Sequence, residues 1–320
     1  MKEELKIQEL GLLNYILDLE SKKRAQLAYH IIAKIPEEEP DCSIRSIDVN
    51  IDRNRHSNSN VHYHHGDLAC VEDVQRIMQI ARPVTIFHTA SPEFSDAPEG
   101  NAHIASPTAE DAIQAANRNG GRDDQGILTC AIRPSLAFGE RDVGSLGKMF
   151  AVARQGKTRF QIGNGQNPYN FIYVGNLADA HLLAAHALLN AWGKPPPTDA
   201  STRVDGECFH LNNEDPWLFW DFQRAVSALA GNPIRPEDIV VIPKWVGLTL
   251  GFVNEWVAWI ISGGTRPANM AREGIRFSTL IRTLNGNKAK RVLGYRPKVG
   301  MQEGLERSVR WFMENAEGEV

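Results

Sequence analysis

Between residues 25 and 91 the sequence alternates apolar helical stretches with short apolar strands, and this rhythm constrains the fold more than any other feature. "AQLAYHIIAKIP" is an apolar helical run, and Pro40 breaks it before "SIRSID", a short strand that ends on Asp48. "NVHYHHGDL" holds a second strand that stops at Gly66-Asp67. "VEDVQRIMQIA" then places Val71, Val74, Ile77 and Met78 on one helical face, with Glu72 and Asp73 at its positive end. Arg82-Pro83 closes that helix, and "VTIFHTAS" is a nearly continuous apolar strand. "ILTCAIRP" and "ECFHLNN" read as further buried strands. Strands near 43–49, 61–64, 84–88, 127–132 and 207–211, separated by helices, predict an α/β fold with a doubly wound parallel sheet.

The rest of the chain reads as helix and loop. "YVGNLADAHLLAAHALLNAW" is a helix with Asn176 as its expected N-cap and Asp179 three residues on. "DPWLFWDFQRAVSALAG" is another, closed by Gly231, and the end of the chain reads helix, Gly-Tyr-Arg-Pro turn, helix. Leu5, Leu12, Ile16 and Leu19 recur at helical spacing, so residues 1–20 are expected to be helical. The expected organisation is a helical segment over 1–25 and an α/β domain over 26–160. Residues 161–320 hold the remaining sheet elements, about 170–230, and a smaller, mostly helical region, about 232–320.

Composition narrows the function classes. A formal charge of −4 gives no basic surface for nucleic acid. Cys42, Cys70, Cys130 and Cys208 are widely spaced and suit a reducing compartment as small hydrophobes. The N-terminus mixes acids and bases and has no clean apolar run, so no signal peptide is expected. "IVVIPKWVGLTLGFVNEWVAWIISGG", 239–264, is interrupted by Pro243, Lys244, Asn254 and Glu255, which argues against a spanning helix. Its tryptophans, Trp245, Trp256 and Trp259, suit a buried core or a peripheral contact with a membrane through 243–262, and the core reading is the simpler.

Candidate ligand-binding residues follow from the strand ends. Asp48 stands where a carboxylate accepts hydrogen bonds from an adenosine ribose, which suits NAD. Arg53 and Arg55 follow it and could take a 2′-phosphate, which keeps NADP open. Asp67 and Leu68 could border adenine, and Thr89, Ala90 and Ser91 could line the pyrophosphate and nicotinamide side. His56, His62, His64 and His65 cluster, but no carboxylate or cysteine completes a metal-ligand set. "GNGQNP" at 163–168 looks like half a glycine fingerprint, yet strand-like residues flank it, so a hairpin turn is expected there.

Four ordered blocks carry a more specific resemblance: 54–92 "NRHSNSNVHYHHGDLACVEDVQRIMQIARPVTIFHTASP", "ILTCAIRPSLAFGERD", "NFIYVGNLADAHLLAAHALL" and "NKAKRVLGYRPKVGMQEGLERSVRWF". Together they resemble the 3β-hydroxysteroid dehydrogenase/isomerase family of extended short-chain dehydrogenases, in particular its fungal sterol-4α-carboxylate 3-dehydrogenase (decarboxylating) branch. The resemblance implies a Rossmann-type domain, NAD(P), a sterol-like small-molecule substrate whose 3β-hydroxyl is oxidised, and a place in the cytoplasm or peripherally on the endoplasmic reticulum. In the 4α-carboxylate branch, the new 3-ketone activates loss of the neighbouring carboxylate. It matches Asp48 to the ribose acid, Asp67 and Leu68 to the adenine pair, and Thr89, Ala90 and Ser91 to the loop after the fourth strand. It matches Pro134 and Ser135 to the turn near nicotinamide, and Tyr173, Val174 and Asn176 to the segment under the substrate.

The departures fall on the chemistry. The family opens on a strand and a GGxGFxG loop, whereas Gly11 is the only glycine here before Gly66. The family's catalytic Tyr and Lys stand four residues apart, and none of the six tyrosines here has lysine at that spacing. Alignment of "IASPTAEDAIQAAN" with the family helix puts Ala102 at the tyrosine and Ser106 at the lysine. The segment for the fifth strand and the catalytic serine is nearly absent, so the sheet is expected to lack its first and fifth strands. Oxidation of a hydroxyl needs a group that takes its proton and a cation that tunes that group. The chain therefore reads as a catalytically impaired dehydrogenase or as a non-catalytic binder of a nucleotide or partner. Loss of contiguous blocks beside intact motifs also fits the product of an altered transcript.

Overall fold

The computed structural model describes residues 14–18, 25–52, 55–89, 107–119, 126–263 and 271–315. The chain forms two units, each built from separated segments. Unit 1 takes Met1–Pro134, Val174–Leu211 and Gly286–Lys298; unit 2 takes Ser135–Tyr173, Asn212–Asn285 and Val299–Val320.

Unit 1 is built on a parallel four-stranded sheet: β1 (Asn14–Asp18), β2 (Ser43–Asp48), β3 (Val61–His65) and β4 (Thr85–His88), in the order β3-β2-β1-β4. Helices α1 (Ala25–Glu38) and α2 (Val71–Ala81) supply crossovers. β2 shows why they lie on opposite faces. Ile44 and Ser46 are fully buried on one face, and Ile47 is buried on the other. On the first face Ile44 packs with Ala28, Ile31, Ile32 and Ile35 of α1, residues spaced i, i+3, i+4, i+7. On the second, Ile47 packs with Ile77 and Ala81 of α2. The sheet is doubly wound, as its rhythm predicts.

The expected N-terminal helix and the expected loss of the first strand are both corrected here. Asn14–Asp18 is a strand in the middle of the sheet, with Tyr15 opposite Ile44 on one side and Thr85 on the other. The leucine and isoleucine spacing satisfies a helical period, but the inner edges of β2 and β4 carry backbone donors and acceptors that need a partner. Five residues rich in Tyr, Ile and Leu meet that need, and tertiary pairing overrides the local period.

After β4, the described residues of unit 1 contain α3 (Pro107–Ala116) and then β5 (Cys130–Pro134), which pairs in parallel with β10 (Glu207–Leu211) as a separate ladder. No strand among them joins β4 to β5. α5 (Val174–Ala191) adds Ala178, Leu182 and Ala185 to the α1 cluster. Asn176 is not its N-cap: the helix begins two residues earlier, and the Asn176 Oδ1 accepts the Lys298 backbone N–H at 3.0 Å. Asp179 on the same helix pairs with Lys34 at 2.7 Å and Lys298 at 3.2 Å. α9 (Asn287–Val292) completes the unit's helices.

Unit 2 has an aromatic core on short ladders. β6 (Leu136–Phe138) pairs in parallel with β9 (Phe171–Tyr173), β7 (Phe160–Ile162) with β12 (Val240–Ile242), and β8 (Pro168–Tyr169) antiparallel with β11 (Trp217–Leu218). Phe171 stacks on Phe222 of α6 (Phe219–Leu229) at 4.0 Å between centroids, and Phe138 meets Phe222 edge-on at 5.2 Å. α4 (Ser145–Arg154) is capped by buried Asp142, whose carboxylate accepts the N–H of Gly144, Ser145 and Leu146 at 2.8–3.0 Å. α7 (Lys244–Ser262), α8 (Arg272–Ser278) and α10 (Met301–Asn315) complete the unit.

Two expectations change in unit 2. "GNGQNP" makes a turn, with Gly163 at φ 77° and Gly165 at φ 72°, but the strands it joins do not pair with each other. β7 leaves for β12 and β8 for β11, so there is no hairpin. The apolar stretch after Pro243 is a 19-residue helix, and it is not core: only Gly247 and Gly251 are buried.

Buried Asp205 in unit 1 accepts Arg118 Nε at 2.6 Å, Arg203 Nη2 at 3.0 Å and Asn117 Nδ2 at 3.1 Å. Its hydrogen bond from Arg118 holds the carboxyl well below the usual 3.8. A depressed folded-state pKa stabilises the fold fully above the unfolded value and loses that stability as pH falls toward the folded one. Asp205→Asn should cost about 1–3 kcal/mol at pH 7, because it removes the charge that accepts from two partly exposed guanidinium groups. The wild type should lose stability in urea melts from roughly pH 5 downward, and the variant should show a shallower acid slope.

Gly304 on α10 lies against Tyr173, and a Cβ there would sit 2.9 Å from Tyr173 Cδ2. Alanine gains about 1 kcal/mol of helix propensity, but overpacking against a fixed ring costs roughly 1–3 kcal/mol. Gly304→Ala should therefore lower the melting temperature. Gly274→Ala in α8, where a Cβ meets nothing within 4 Å, should raise it.

Candidate functional site

The parallel sheet of unit 1 brings its carboxyl ends to one edge, the place where open α/β sheets bind ligands. Asp18, which ends β1, is paired across with Ile47 and His88; Asp48, which ends β2, is opposite His65. The edge therefore gathers Asp48, the turn after β3 with Asp67 and Leu68, and Thr89 just past β4. Ala90 and Ser91 lie outside the described residues, as do Arg53, Ala102 and Ser106.

Asp48 is half-buried, and its Oδ1 accepts the Asn50 backbone N–H at 2.9 Å, which fixes the carboxylate at the strand end. Gly66 follows β3 in close quarters: its N–H reaches the Asp48 carbonyl at 3.2 Å, and a Cβ would stand 2.8 Å from Ile77 Cδ1, which would have to shift. Asp67 is exposed and accepts the Ala69 N–H at 2.8 Å, while its own N–H donates to Asp73 at 3.1 Å. Leu68 packs against the Ile47 and Ile77 cluster, so most of its side chain faces inward.

The cofactor-binding features present are uneven. The strand-end acid and the tight turn beside it suit an adenosine. The six residues that join β1 to α1, 19–24, read Leu-Glu-Ser-Lys-Lys-Arg and contain no glycine. A glycine loop lets backbone N–H groups approach a pyrophosphate closely, and this sequence offers three cationic side chains instead. The residues fit the adenosine half of NAD and do not fit the phosphate half in the family's manner.

The remaining positions assigned by resemblance lie deep in their units. Pro134 ends β5 opposite Leu211. Ser135 is buried, and its hydroxyl has no hydrogen-bond partner among the described residues. Tyr173 is buried; its hydroxyl donates to the Glu140 carboxylate at 2.8 Å, and burial raises its pKa far above an ordinary phenol. A phenol so held stays protonated and is no general base. Val174 is fully buried, and Asn176 is spent on the Lys298 backbone.

Other chemistries find little support among the described residues. No three histidine, cysteine or acidic side chains gather there to hold a metal. His56 stacks on Tyr29 at 3.9 Å, and His64 lies 3.3 Å from the Arg45 guanidinium. Burial pushes Cys42 up to about 11 and Cys130 up to about 12, so neither is a thiolate at neutral pH. The sequence reading missed the buried acids Asp179 and Asp205 and the Glu140 partner of Tyr173. Their partners Lys34, Arg118 and Tyr173 stand 33 to 145 residues away in sequence, beyond any local pattern.

Comparison with known proteins bears on this geometry. Residues 96–237 match the model of the 3-beta hydroxysteroid dehydrogenase/isomerase family. A sterol-4-alpha-carboxylate 3-dehydrogenase, decarboxylating, of Saccharomyces cerevisiae is 34% identical over 206 residues, 64% of this chain and 54% of its own. A 3beta-hydroxysteroid-dehydrogenase/decarboxylase of Arabidopsis thaliana is 30% identical over 299 residues, 90% of this chain and 48% of its own. The chain thus spans about half the length of these relatives. The crystal structure of a dTDP-glucose 4,6-dehydratase from Bacillus anthracis, in complex with NAD, matches 96% of this chain and 98% of its own with a TM-score of 0.59 at 12% identity. That likeness shows the fold: a Rossmann-type parallel sheet. Sheet, motifs and matches agree in what the chain is similar to: the 3-beta hydroxysteroid dehydrogenase/isomerase family, over residues 96–237.

Proposed function

We propose that this chain is a sterol-4α-carboxylate 3-dehydrogenase-like protein that binds NAD through its adenosine end and carries out hydride transfer poorly. The observation that carries the reading is Asp48, fixed at the carboxyl end of β2 beside the Gly66 turn. A carboxylate there accepts both hydroxyls of a ribose and repels a 2′-phosphate, which favours NAD over NADP. The names of the relatives support a sterol carrying a 3-hydroxyl and a 4-carboxylate as the substrate class. NAD would supply hydride acceptance. Asp48 would hold the ribose, Asp67 and Leu68 would border adenine, and the Thr89-Ala90-Ser91 segment would run on from β4 toward the reacting end.

Impairment follows from the missing proton acceptor. No tyrosine here carries the lysine partner, and Tyr173 is committed to Glu140. Loss of a positioned acid/base costs about 10²–10⁴-fold in rate. A peripheral place on the endoplasmic reticulum membrane suits a membrane-dissolved substrate, and the exposed apolar helix α7 supports it.

Calorimetric titration of NAD and NADP, followed by turnover with a 4α-carboxysterol, tests the reading. NAD binding in the micromolar range with turnover at least 10²-fold below that of a relative bearing the Tyr/Lys pair is the expected result, by the acid/base cost above. Binding of neither cofactor overturns the NAD assignment. Full turnover overturns the impairment, and its loss in Ser91→Ala would then name the substitute group.

Asp48→Ala should weaken NAD binding by about tenfold or more, the loss of one to two hydrogen bonds to a charged group, and should narrow the preference over NADP. Unchanged NAD affinity in that variant would remove Asp48 from the site.

A further inference from the structure

Helix α7 is inverted relative to a surface helix of a soluble domain. Nine large apolar side chains from Trp245 to Ile261 are exposed, Trp245 at 72%, Trp259 at 58% and Ile261 at 81%. With 3.6 residues per turn, these side chains occupy an arc of about 200°. The opposite arc carries Gly247, Gly251, Glu255 and Ala258. Gly251 approaches so closely that a Cβ would lie 2.9 Å from Ile275 Cδ1 and 3.1 Å from the Arg272 backbone nitrogen. The two charged residues of the helix, Lys244 and Glu255, both fall outside the apolar arc. Glu255 is spent on α8, where it accepts the Arg272 backbone N–H at 2.6 Å and Nε at 2.7 Å.

Two hydroxyls of the helix are satisfied within it. The Thr249 hydroxyl donates to the Trp245 carbonyl at 3.0 Å, and the Ser262 hydroxyl to the Ala258 carbonyl at 2.7 Å. Neither hydroxyl needs water, which is the arrangement that hydrocarbon demands.

We propose that α7 lies in the plane of a lipid bilayer, with its Trp/Ile arc sunk into the boundary between headgroups and acyl chains and its glycine arc seated on α8. This fixes depth and orientation, beyond the peripheral location proposed above. Three features select this occupant. A partner helix or a second copy covers a stripe of about 100°, half of what is exposed, whereas a fluid solvent covers all of it. The helix is long enough to cross a bilayer, at about 28 Å, but its glycine arc and Glu255 are docked in mid-helix on α8, which at seven residues is too short to span beside it. The apolar arc holds no lysine or arginine, so insertion draws on apolar burial rather than on anionic lipid.

The test is flotation of the full chain with pure phosphatidylcholine vesicles at 0.15 M and 1 M salt. Equal flotation at both is expected, with tryptophan fluorescence quenched by lipids brominated near the top of the acyl chain. Trp256→Glu combined with Ile260→Glu alters only exposed positions and should lower partitioning on the order of a hundredfold, from the apolar area withdrawn. Lys244→Glu should leave it within about twofold, since that charge lies off the inserted arc. Circular dichroism checks that the variants fold, and quenching in the wild type carries the test if they do not. No flotation on phosphatidylcholine overturns the proposal. So does binding only to phosphatidylserine vesicles that 1 M salt abolishes, a stable dimer that does not float, or protection of one terminus inside sealed vesicles. NAD affinity measured on the same variants reports on the dehydrogenase reading separately, because the residues assigned to NAD in unit 1 lie outside α7.

Discussion

The pairing of β1 on both of its edges is the constraint on which unit 1 depends. A strand in the centre of a parallel sheet satisfies the backbone groups of two neighbours at once, β2 over five residue pairs and β4 over four. It also sets the register that aligns the carboxyl ends of β2, β3 and β4. Asp48, the Gly66 turn and Thr89 reach one edge only because Asn14–Asp18 holds β2 and β4 apart by one strand. The architecture needs this strand to be extended and apolar. It does not need the glycines that ordinarily follow, because they serve a ligand rather than the sheet. The chain therefore keeps the strand and dispenses with the loop.

The same separation of framework from chemistry recurs at the buried charges. Asp179 ties α5 to Lys34 and Lys298; Asp205 ties the loop before β10 to Arg118; Glu140 accepts from Tyr173. Asp179 and Asp205 are buried, and each loses stability if a partner goes, because a buried carboxylate is left with fewer contacts; Glu140 is half-buried. Their positions follow from folding. A Tyr/Lys pair at the spacing that the resemblance leads one to expect has no such tie to stability, and the sequence has none. A chain can lack that pair and keep its fold, whereas loss of Asp205 or of β1 weakens the fold.

Much of unit 1 was legible because its signals are local. The Asp48 strand end, the 71–81 helix with its acidic first turn and the strand before Thr89 all rest on spacings of a few residues, as does the Gly231 stop in unit 2. β1 was not legible, since "NYILD" is short and its fate is set by neighbours in the sheet far along the chain. The same holds for Asn176. Its side chain looks like a cap beside a helical run, yet its partner is the Lys298 backbone, 122 residues away. At "GNGQNP" the turn was readable from its glycines, but the partners of the flanking strands were not. In the candidate site, Asp48 could be found from its place at a strand end, whereas the inward commitment of Tyr173 and Leu68 required the packed structure.

The helix after Pro243 shows why hydropathy alone could not decide its setting. Its apolar residues suit a core, a span or an interface equally, and the discriminating quantity is which arc carries the small residues. Glycine at 247 and 251 permits backbone-close contact with α8, so the protein-facing side is the one without bulk. Nine large apolar groups are then turned outward by the helical period. In water, exposed apolar area costs about 25 cal/mol per Å², and a chain that folded for water alone would have reversed the arcs. The arrangement is stable only where the outer solvent is itself apolar. The placement of two glycines, rather than the sum of the hydrophobic residues around them, therefore decides the environment in which unit 2 is at its free-energy minimum.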